Sequence, residues 1–366
     1  MIIETKAFQS ACKTILYAVD SKDSTLLNET LELVANGDIL NLNVTNREYW
    51  CSVRFKLTEH TVFRAAVNAK LFLNLISKLS TPTIEITKDT NFVKVKSSGE
   101  YKIAIIFNND KMLELPVITI DNVTNEMSMN SDILHSIATY NSKELTRGPI
   151  VRPVQGYYYV DEHGAVTFTS GACVNSFELE KPVKMLLSDK VVKLFKLFKP
   201  DTKISFTIGQ DPINDEVVQT KVKFESDVVT ITAALCDYGM IASVPVDAVR
   251  SMASKAFNYS IVVNRDDLLK AIDRIMLFNE DDRSILTADK EKITVSDTGM
   301  NSFDSVKLEN ECDNITIPYA MEVEIKGFRG ILEGAEDQYV TICFGDDRAI
   351  VVKKSNISDV VRMIKH

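Results

Sequence analysis

"NRDDLLKAIDRIMLFNEDDRSILTADKEKITVSD", residues Asn264 to Asp297, changes its period once along its length. In the first half Leu268, Leu269, Ile272, Ile275 and Met276 recur at three- and four-residue intervals, the spacing of one helical face, and Asn264 stands where an N-cap belongs. In "SILTADKEKITVSD" apolar and polar residues alternate about a polar turn, the pattern of a β-hairpin. A helix followed by a hairpin is the unit this stretch defines.

The same order occurs twice earlier. "TKAFQSACKTILYAVD" puts Phe8, Ala11, Cys12, Ile15 and Leu16 on one helical face, and "NSDILHSIATYNSK" does so with Ile133, Leu134, Ile137 and Ala138, with Ser131 or Asn130 as N-cap. Their hairpins are "LELVANGDILNLNV" and "GYYYVDEHGAVTFTS". A strand follows in each third ("CSVRFKL", "NSFELE", "FDSVKLE"), then a second helix ("NAKLFLNLISKLS", "SDKVVKLFKLFKPD", "EIKGFRGILEGAE"), then further strands. Three passes through 366 residues give units of roughly 120 residues, a comfortable domain size. The expected domains are 1–125, 126–254 and 255–366, each an α+β unit with two helices packed on antiparallel sheet.

Composition narrows the function classes. A hydrophobic content of 45% with 25% charged residues is that of a soluble globular protein, and no apolar run reaches the roughly 18–20 residues that span a bilayer. The opening "MIIETKAFQSACK" interrupts with Glu4 and Lys6 the apolar stretch a signal peptide needs, which predicts a cytoplasmic protein. Cys12, Cys51, Cys173, Cys236, Cys312 and Cys343 are widely spaced, so free buried thiols are expected rather than zinc ligands or disulfides. A net charge of −9 argues against an indiscriminate nucleic-acid binder, but not against one whose basic residues keep to one face.

Such a face is written into "SDKVVKLFKLFKPD" (Ser188 to Asp201), where Lys190, Lys193, Lys196 and Lys199 stand three apart and Val191, Val192, Leu194, Phe195, Leu197 and Phe198 fall between them. On a helix the apolar residues gather on one side and the lysines on the other, with Pro200 as the stop. A solvated lysine face over a core stripe would explain this helix alone. The polar sides of the other helices carry Lys6, Lys13, Lys70, Lys78, Lys143, Lys270, Arg274, Lys326 and Arg329, basic residues confined to helix faces on an acidic chain, as a surface built for phosphates would have.

Three such units in one chain resemble the bacterial and phage DNA polymerase sliding clamp, the β subunit of the replicative polymerase. The match is end to end. "IMLFNEDDRSILT" resembles the family's helix end in domain three, "TSG" at Thr169 to Gly171 its Thr-Asp-Gly, and Pro245 the proline of its linker between domains two and three. The resemblance implies a head-to-tail homodimeric ring around double-stranded DNA, a processivity factor without sequence preference, enzymatic activity or cofactor. Polymerase and clamp loader would dock through short hydrophobic peptides. Carried over by position, Val154, Thr169, Gly171, Ala172, Cys173, Val174, Pro245, Val249, Met363 and Ile364 would wall the peptide groove. Ala172-Cys173 replaces the family's His-Arg, the family's Arg after the linker proline falls near Val249 with Arg250 next, and Arg362-Met363-Ile364 replaces its Met-Pro-Met. Met276 and Leu277 match the hydrophobic pair at the ring junction, with "EYKIAIIF" (Ile103 and Ile105 within it) as the strand opposite.

Other chemistry has weaker support. There is no P-loop, no G-x-S-x-G and no G-x-G-x-x-G after a strand. His60, His135, His163 and His366 lack ligand spacing, and Asp281–Asp282 and Asp346–Asp347 read as solvated turns. Tyr157 to Val160 reads as a hairpin strand rather than a stacking platform. A Cys173–His163 hydrolase lacks an orienting carboxylate at a recognisable spacing, and a three-domain peptide adaptor without DNA is the main alternative to the clamp.

Overall fold

The computed structural model describes residues 1–20, 25–213, 216–236, 238–279, 281–346 and 349–364. Asp347 and His366 lie outside the described residues. The chain divides into two compact units, Met1–Leu134 with Lys190–Tyr238, and His135–Asp189 with Gly239–His366.

In the first unit a six-stranded antiparallel sheet runs in the order Thr30–Thr45, Tyr49–Asn68, Val229–Ala234, Glu216–Glu225, Lys203–Ile213, Val123–Asn130. The boundary drawn at residue 125 falls inside that last strand. A second sheet orders Ile2–Glu4, Thr83–Lys88, Phe92–Lys96 and Glu100–Ala104. The Thr5–Leu16 and Ala69–Ser77 helices pack side by side, tied by Gln9, whose amide donates to Ile76 O (2.9 Å) and Leu79 O (2.8 Å). Phe8 is wholly buried, edge-on to Phe55 and Phe72 at 5.3 and 6.4 Å between ring centres. Burying each such side chain contributes roughly 1.5–3 kcal/mol.

The hairpin expected in "LELVANGDILNLNV" is instead one long strand. Its polar "ANGD" is a bulge, where pairing with Tyr49–Asn68 shifts between Gly37 and Ile39. Gly37 sits at φ +105°, open to glycine and strained for other residues. The turn comes later, at Asn46, whose Oδ1 accepts from Glu48 N (2.8 Å) and Tyr49 N (2.9 Å). An Asn-Gly pair signals either feature, and only the register separates them.

The second unit carries an eight-stranded sheet ordered Lys184–Ser188, Tyr157–Asp161, Gly164–Phe168, Ala172–Ser176, Ile357–Arg362, Ala349–Lys354, Tyr339–Asp346, Tyr259–Asn264. Of the predicted strand "NSFELE" only Asn175 and Ser176 lie in a ladder, as the end of Ala172–Ser176; beyond them Phe177 N and Leu179 N bond singly to His163 O (3.4 Å) and Glu162 O (2.8 Å). A four-stranded sheet orders Phe303–Lys307, Lys292–Ser296, Arg283–Ala288 and Tyr319–Glu324. The Arg265–Met276 helix begins as read: Asn264 Oδ1 accepts from Asp266 N (3.0 Å) and Asp267 N (3.2 Å). Its Leu268, Ile272 and Ile275 share a core with Phe328, Ile331 and Leu332 of the Ile325–Glu333 helix and Phe344 of the sheet.

Two helices depart from ideal form. Ser188 to Asp201 gives an α-helix only over Asp189–Lys193, continued as a 3₁₀ turn over Leu194–Leu197. In a 3₁₀ turn residues three apart eclipse, so this geometry suits a lysine in every third position. The helix opening at Ser131 loosens into a π turn over Ile137–Asn141 before Ser142–Leu145. The wide turn seats buried Asn141 against the sheet, where its Oδ1 accepts from Asn175 Nδ2 at 3.2 Å and its Nδ2 points to Ala165 O at 3.3 Å. No helix among the described residues is long and apolar enough to cross a membrane.

Candidate functional site

The basic residues sort into three groups. Lys6 and Lys13 lie seven apart on the Thr5–Leu16 helix, two turns along the same face, while Lys70 and Lys78 sit in and just after Ala69–Ser77. These four, with Lys196 and Lys199, are exposed and have no ion pair among the described residues. Lys193 is exposed too.

The second group, exposed except for half-buried Arg329, is neutralised. Lys190 Nζ lies 3.1 Å from Asp20 and 3.2 Å from Glu48. In the second unit Lys270 faces Asp267 (3.7 Å), Arg274 pairs with Asp304, Lys326 faces Asp282 (3.6 Å), and Arg329 pairs with Asp273 and Glu333 (both 2.6 Å). These five remain basic positions on the helices, but acidic neighbours, some on the same helix and some from other elements, offset much of their field. Pairs this exposed contribute only about 0–1 kcal/mol each to stability.

Lys143 alone forms the third group. It is half-buried, its amine so close to Gly334 that a Cβ there would stand 2.6 Å from Nζ. Burial, then the neighbouring Lys354 and Arg147, push its pKa down.

The expected groove residues fall on two faces of one sheet. Ala172 pairs with Val360 and Cys173 with Asp359, and side chains alternate along the strand. Ala172 and Val174 are buried, and the Val246–Ser254 helix, which carries Val249 and is preceded by exposed Pro245, packs on this strand and on Ile357–Arg362. Val154 is buried in the 3₁₀ turn Pro153–Gly156. Cys173 is wholly buried, and burial holds its thiol well above the ordinary range, so it serves neither as a groove wall nor as a nucleophile. His163 is exposed and faces Glu178 at 3.1 Å.

A cavity of about 820 Å³ does open beside Gly171, Met363 and Ile364, with Phe328, Ile331, Val360 and Val361 as further apolar walls. Gly171 is required there, since a Cβ would stand 2.4 Å from Val360 O. Thr169 does not line the cavity but anchors its rim. The carboxylate responsible is Glu144, which sequence reasoning missed. Its Oε1 accepts from Thr169 Oγ1 (2.7 Å), Thr169 N (3.1 Å) and Gly171 N (3.2 Å), and its Oε2 from Arg147 (3.0 Å). Arg147 also reaches Asp359 Oδ1 at 3.2 Å, and Lys354 pairs with Asp359 Oδ2 at 2.5 Å. The only local signal was the spacing of three from Glu144, on the Ser142–Leu145 helix, to Arg147 just past its end; Lys354 and Asp359 are distant in sequence.

At the expected junction Leu277 and Phe278 are 81% and 63% exposed, while Met276 is half-buried against its own core. Ile103 and Ile105 are buried (3% and 7%), which corrects their assignment as interface side chains. Glu100–Ala104 is nonetheless an edge strand and offers Tyr101 and an unpaired backbone. It ends where Ile106 N turns to bond Ala66 O at 2.8 Å.

No protein-family model matches the chain. The Beta sliding clamp of Mycoplasmopsis pulmonis is 29% identical over 122 residues, 33% of this chain and 31% of that relative, so the match spans about a third of its length. Solved structures are similar from end to end. The DNA polymerase III subunit beta from Pseudomonas aeruginosa has a TM-score of 0.80 at 14% identity, covering 100% of this chain and 99% of that one. The DNA polymerase sliding clamp from Bacillus subtilis gives 0.79 at 16%, covering 100% and 98%. The Helicobacter pylori beta clamp bound to DNA ligase peptide gives 0.75 at 17%, covering 100% and 99%. The chain has the fold of the DNA polymerase III beta subunits over its whole length.

Glu144 gives a pH test. Burial, outweighing Arg147 and Thr169, raises its carboxyl above the ordinary 4.5. The folded chain therefore holds this proton after the unfolded chain has released it. The resulting stability is full below the unfolded value and lost as pH rises through the folded one. Glu144→Gln keeps an acceptor for Gly171 and removes that loss, so urea titrations between about pH 4 and 7 should show the variant gaining on the native chain as pH rises. Glu144→Ala strands the Thr169 and Gly171 donors and should cost about 3 kcal/mol. Parallel pH profiles for native and Gln chains would remove the buried carboxyl from this account.

Proposed function

We propose that this chain is a sliding clamp: a non-catalytic processivity factor that encircles duplex DNA as a head-to-tail homodimer and tethers a polymerase to it. The observation that carries the reading is the end-to-end fold match to DNA polymerase III beta subunits. The unpaired lysines support it on separate grounds. A lysine–phosphate contact carries no sequence information and weakens with salt, which suits a protein that must hold DNA without stopping on it. Retention then depends on ring topology rather than affinity. In this reading the domains are 1–125, 126–254 and 255–366, and each large sheet draws strands from two of them.

The DNA-facing set is Lys6, Lys13, Lys70, Lys78, Lys193, Lys196 and Lys199, with Lys190 and the third-region bases contributing less because of their acidic partners. Changing Lys6, Lys13, Lys70, Lys78, Lys196 and Lys199 to Ala should flatten the dependence of log K on log salt, measured on nicked circular duplex. The flattening should reach up to about 0.9 for each phosphate that is no longer neutralised. Lys270→Ala and Arg274→Ala together should change it less than Lys6→Ala and Lys13→Ala. An unchanged slope in the folded six-site variant would refute the assignment and favour an adaptor that does not use DNA.

Ring closure is assigned to Leu277 and Phe278, at the end of the Arg265–Met276 helix, meeting the Glu100–Ala104 edge of a second copy. A contact of this head-to-tail kind closes after two copies only if the rotation allows it. Leu277→Asp would bury an unpaired charge there and should shift sedimentation from dimer to monomer. A variant that stays dimeric at low concentration places the junction elsewhere.

The cavity beside Gly171 is assigned to partner peptides. Its walls mix apolar residues, among them Phe328, Ile331 and Met363, with charged ones such as Arg147, Arg283 and Glu324, and Met363 is an adaptable side chain that suits a Leu or Phe anchor. Absence of the family's His-Arg pair at Ala172 and Cys173 predicts micromolar affinity and loose selection. A Gln-Leu-x-Leu-Phe-type peptide should bind the intact chain and lose most affinity when the chain ends at Val360. Equal binding to both would show that the tail forms no part of the groove.

A further inference from the structure

Among the basic helix residues singled out by the sequence, Lys143 is the one that is neither exposed nor paired. It stands on the Ser142–Leu145 helix, half-buried, and its amine makes no hydrogen bond and no ion pair among the described residues. Its side chain lies across the end of the Ile325–Glu333 helix. A Cβ at Gly334 would stand 2.6 Å from Nζ, 3.0 Å from Cδ and 3.3 Å from Cε, so the bare glycine is what leaves the lysine this place.

A half-buried ammonium ordinarily takes a carboxylate as partner. Both carboxylates that favour charge on Lys143 are committed elsewhere: Asp359 to Arg147 at 3.2 Å and Lys354 at 2.5 Å, and Glu333 to Arg329 at 2.6 Å. Glu144, the next residue, spends Oε1 on Thr169 and Gly171 and Oε2 on Arg147. Glu336 and Asp337 act on Tyr140, three residues back, and Asp337 also accepts from Ser355 at 3.1 Å. At the helix end the carbonyl of Ile331 accepts from Lys354 Nζ at 3.1 Å. Beside Lys143 stand two like charges, Lys354 and Arg147, tied to one another through Asp359. Burial and these cations both favour the uncharged amine and hold its pKa below the usual lysine range. An uncharged, desolvated lysine next to other cations is an activated nucleophile.

We propose that Lys143 is an acylation site, whose amine takes a small acyl group from an activated donor, an acyl phosphate or an acyl thioester. The nitrogen lone pair forms a C–N bond at the acyl carbon. The bond from that carbon to phosphate oxygen or thiol sulfur breaks, the leaving group takes the electron pair, and the nitrogen gives a proton to water. The product amide is neutral, so the reaction also removes the repulsion from Lys354 and Arg147. Arg147 and Glu144 line the cavity beside Gly171, and acylation of Lys143 gives that rim a chemical input. The proposal does not rest on the clamp reading, since neither DNA nor a partner peptide enters it.

The native full-length chain is incubated near neutral pH with acetyl phosphate and, separately, with acetyl-coenzyme A, and the initial rate at each lysine is followed by mass spectrometry. Accessibility alone puts exposed Lys6, Lys13 and Lys70 first. Lys143 should instead react about threefold faster than any of them with at least one donor. Which donor reacts identifies the source. Gly334→Ala is the positional control: at φ −79° and ψ −9° the backbone accepts alanine, and the added Cβ pushes the amine outward into water. Lys143 in that variant should fall to the rate of the exposed lysines. If Gly334→Ala does not fold, the ranking on the native chain decides. Lys143 reacting no faster than Lys6, Lys13 and Lys70 with either donor, or keeping its lead in folded Gly334→Ala, overturns the proposal.

Discussion

Each unit depends on one main-chain ladder joining distant parts of the sequence. In the first, Tyr49 to Val53 pair with Ala233 to Val229; in the second, Ala172 to Asn175 pair with Val360 to Ile357. Backbone donors and acceptors buried in a sheet must be satisfied, so neither strand can be left without its partner. The ladder in the first unit places Trp50 and Ser52 beside Thr232 and Thr230. The ladder in the second brings Val360 so close to Gly171 that only hydrogen fits between them, and sets Asp359 against Arg147 and Lys354. The cavity beside Gly171 is a consequence of where that second ladder puts side chains.

Charge follows the same logic. An acidic chain can present basic helices only where the fold keeps its carboxylates away, and it does so unevenly. The Thr5–Leu16 and Ala69–Ser77 helices keep their lysines clear, whereas the Arg265–Met276 and Ile325–Glu333 helices are laced together by Arg329 and Asp273. Short-range pairing of this sort is partly screened at physiological salt, within a Debye length of about 8 Å. The field available to a polyanion is thus concentrated on part of the basic set that spacing alone suggested.

Much of the architecture was legible because local period and global fold agree. The helix beginning at Asn264, its capping residue and the hairpin after it were all readable from alternation and spacing. What the sequence hid was register. "ANGD" carries the same residues whether it turns a chain or bulges a strand, and "NSFELE" alternates throughout although regular pairing stops at its second residue, Ser176. The cavity was partly legible: Gly171, Met363 and Ile364 of the expected set line it, whereas Ala172 and Cys173 alternate to opposite faces of their strand and neither does. Glu144 was illegible, because the worth of a buried carboxylate lies in donors from Thr169 and Gly171 that no local pattern announces.

The ladders also set a timetable for synthesis. Residues Tyr49 to Val53 leave the ribosome long before Val229 to Ala233, which must pair with them. At about 5–20 residues per second, the roughly 180 intervening residues take on the order of ten to forty seconds. For that interval the long Tyr49–Asn68 strand carries an open edge, a template for any passing strand. The exposed middle of that strand holds Lys56, Glu59 and His60, charged or polar residues of the kind that discourage such pairing. The nascent chain meets its greatest risk of misassembly before half of either unit's partner strands exist, and the burden of protection falls on those few side chains and on chaperones.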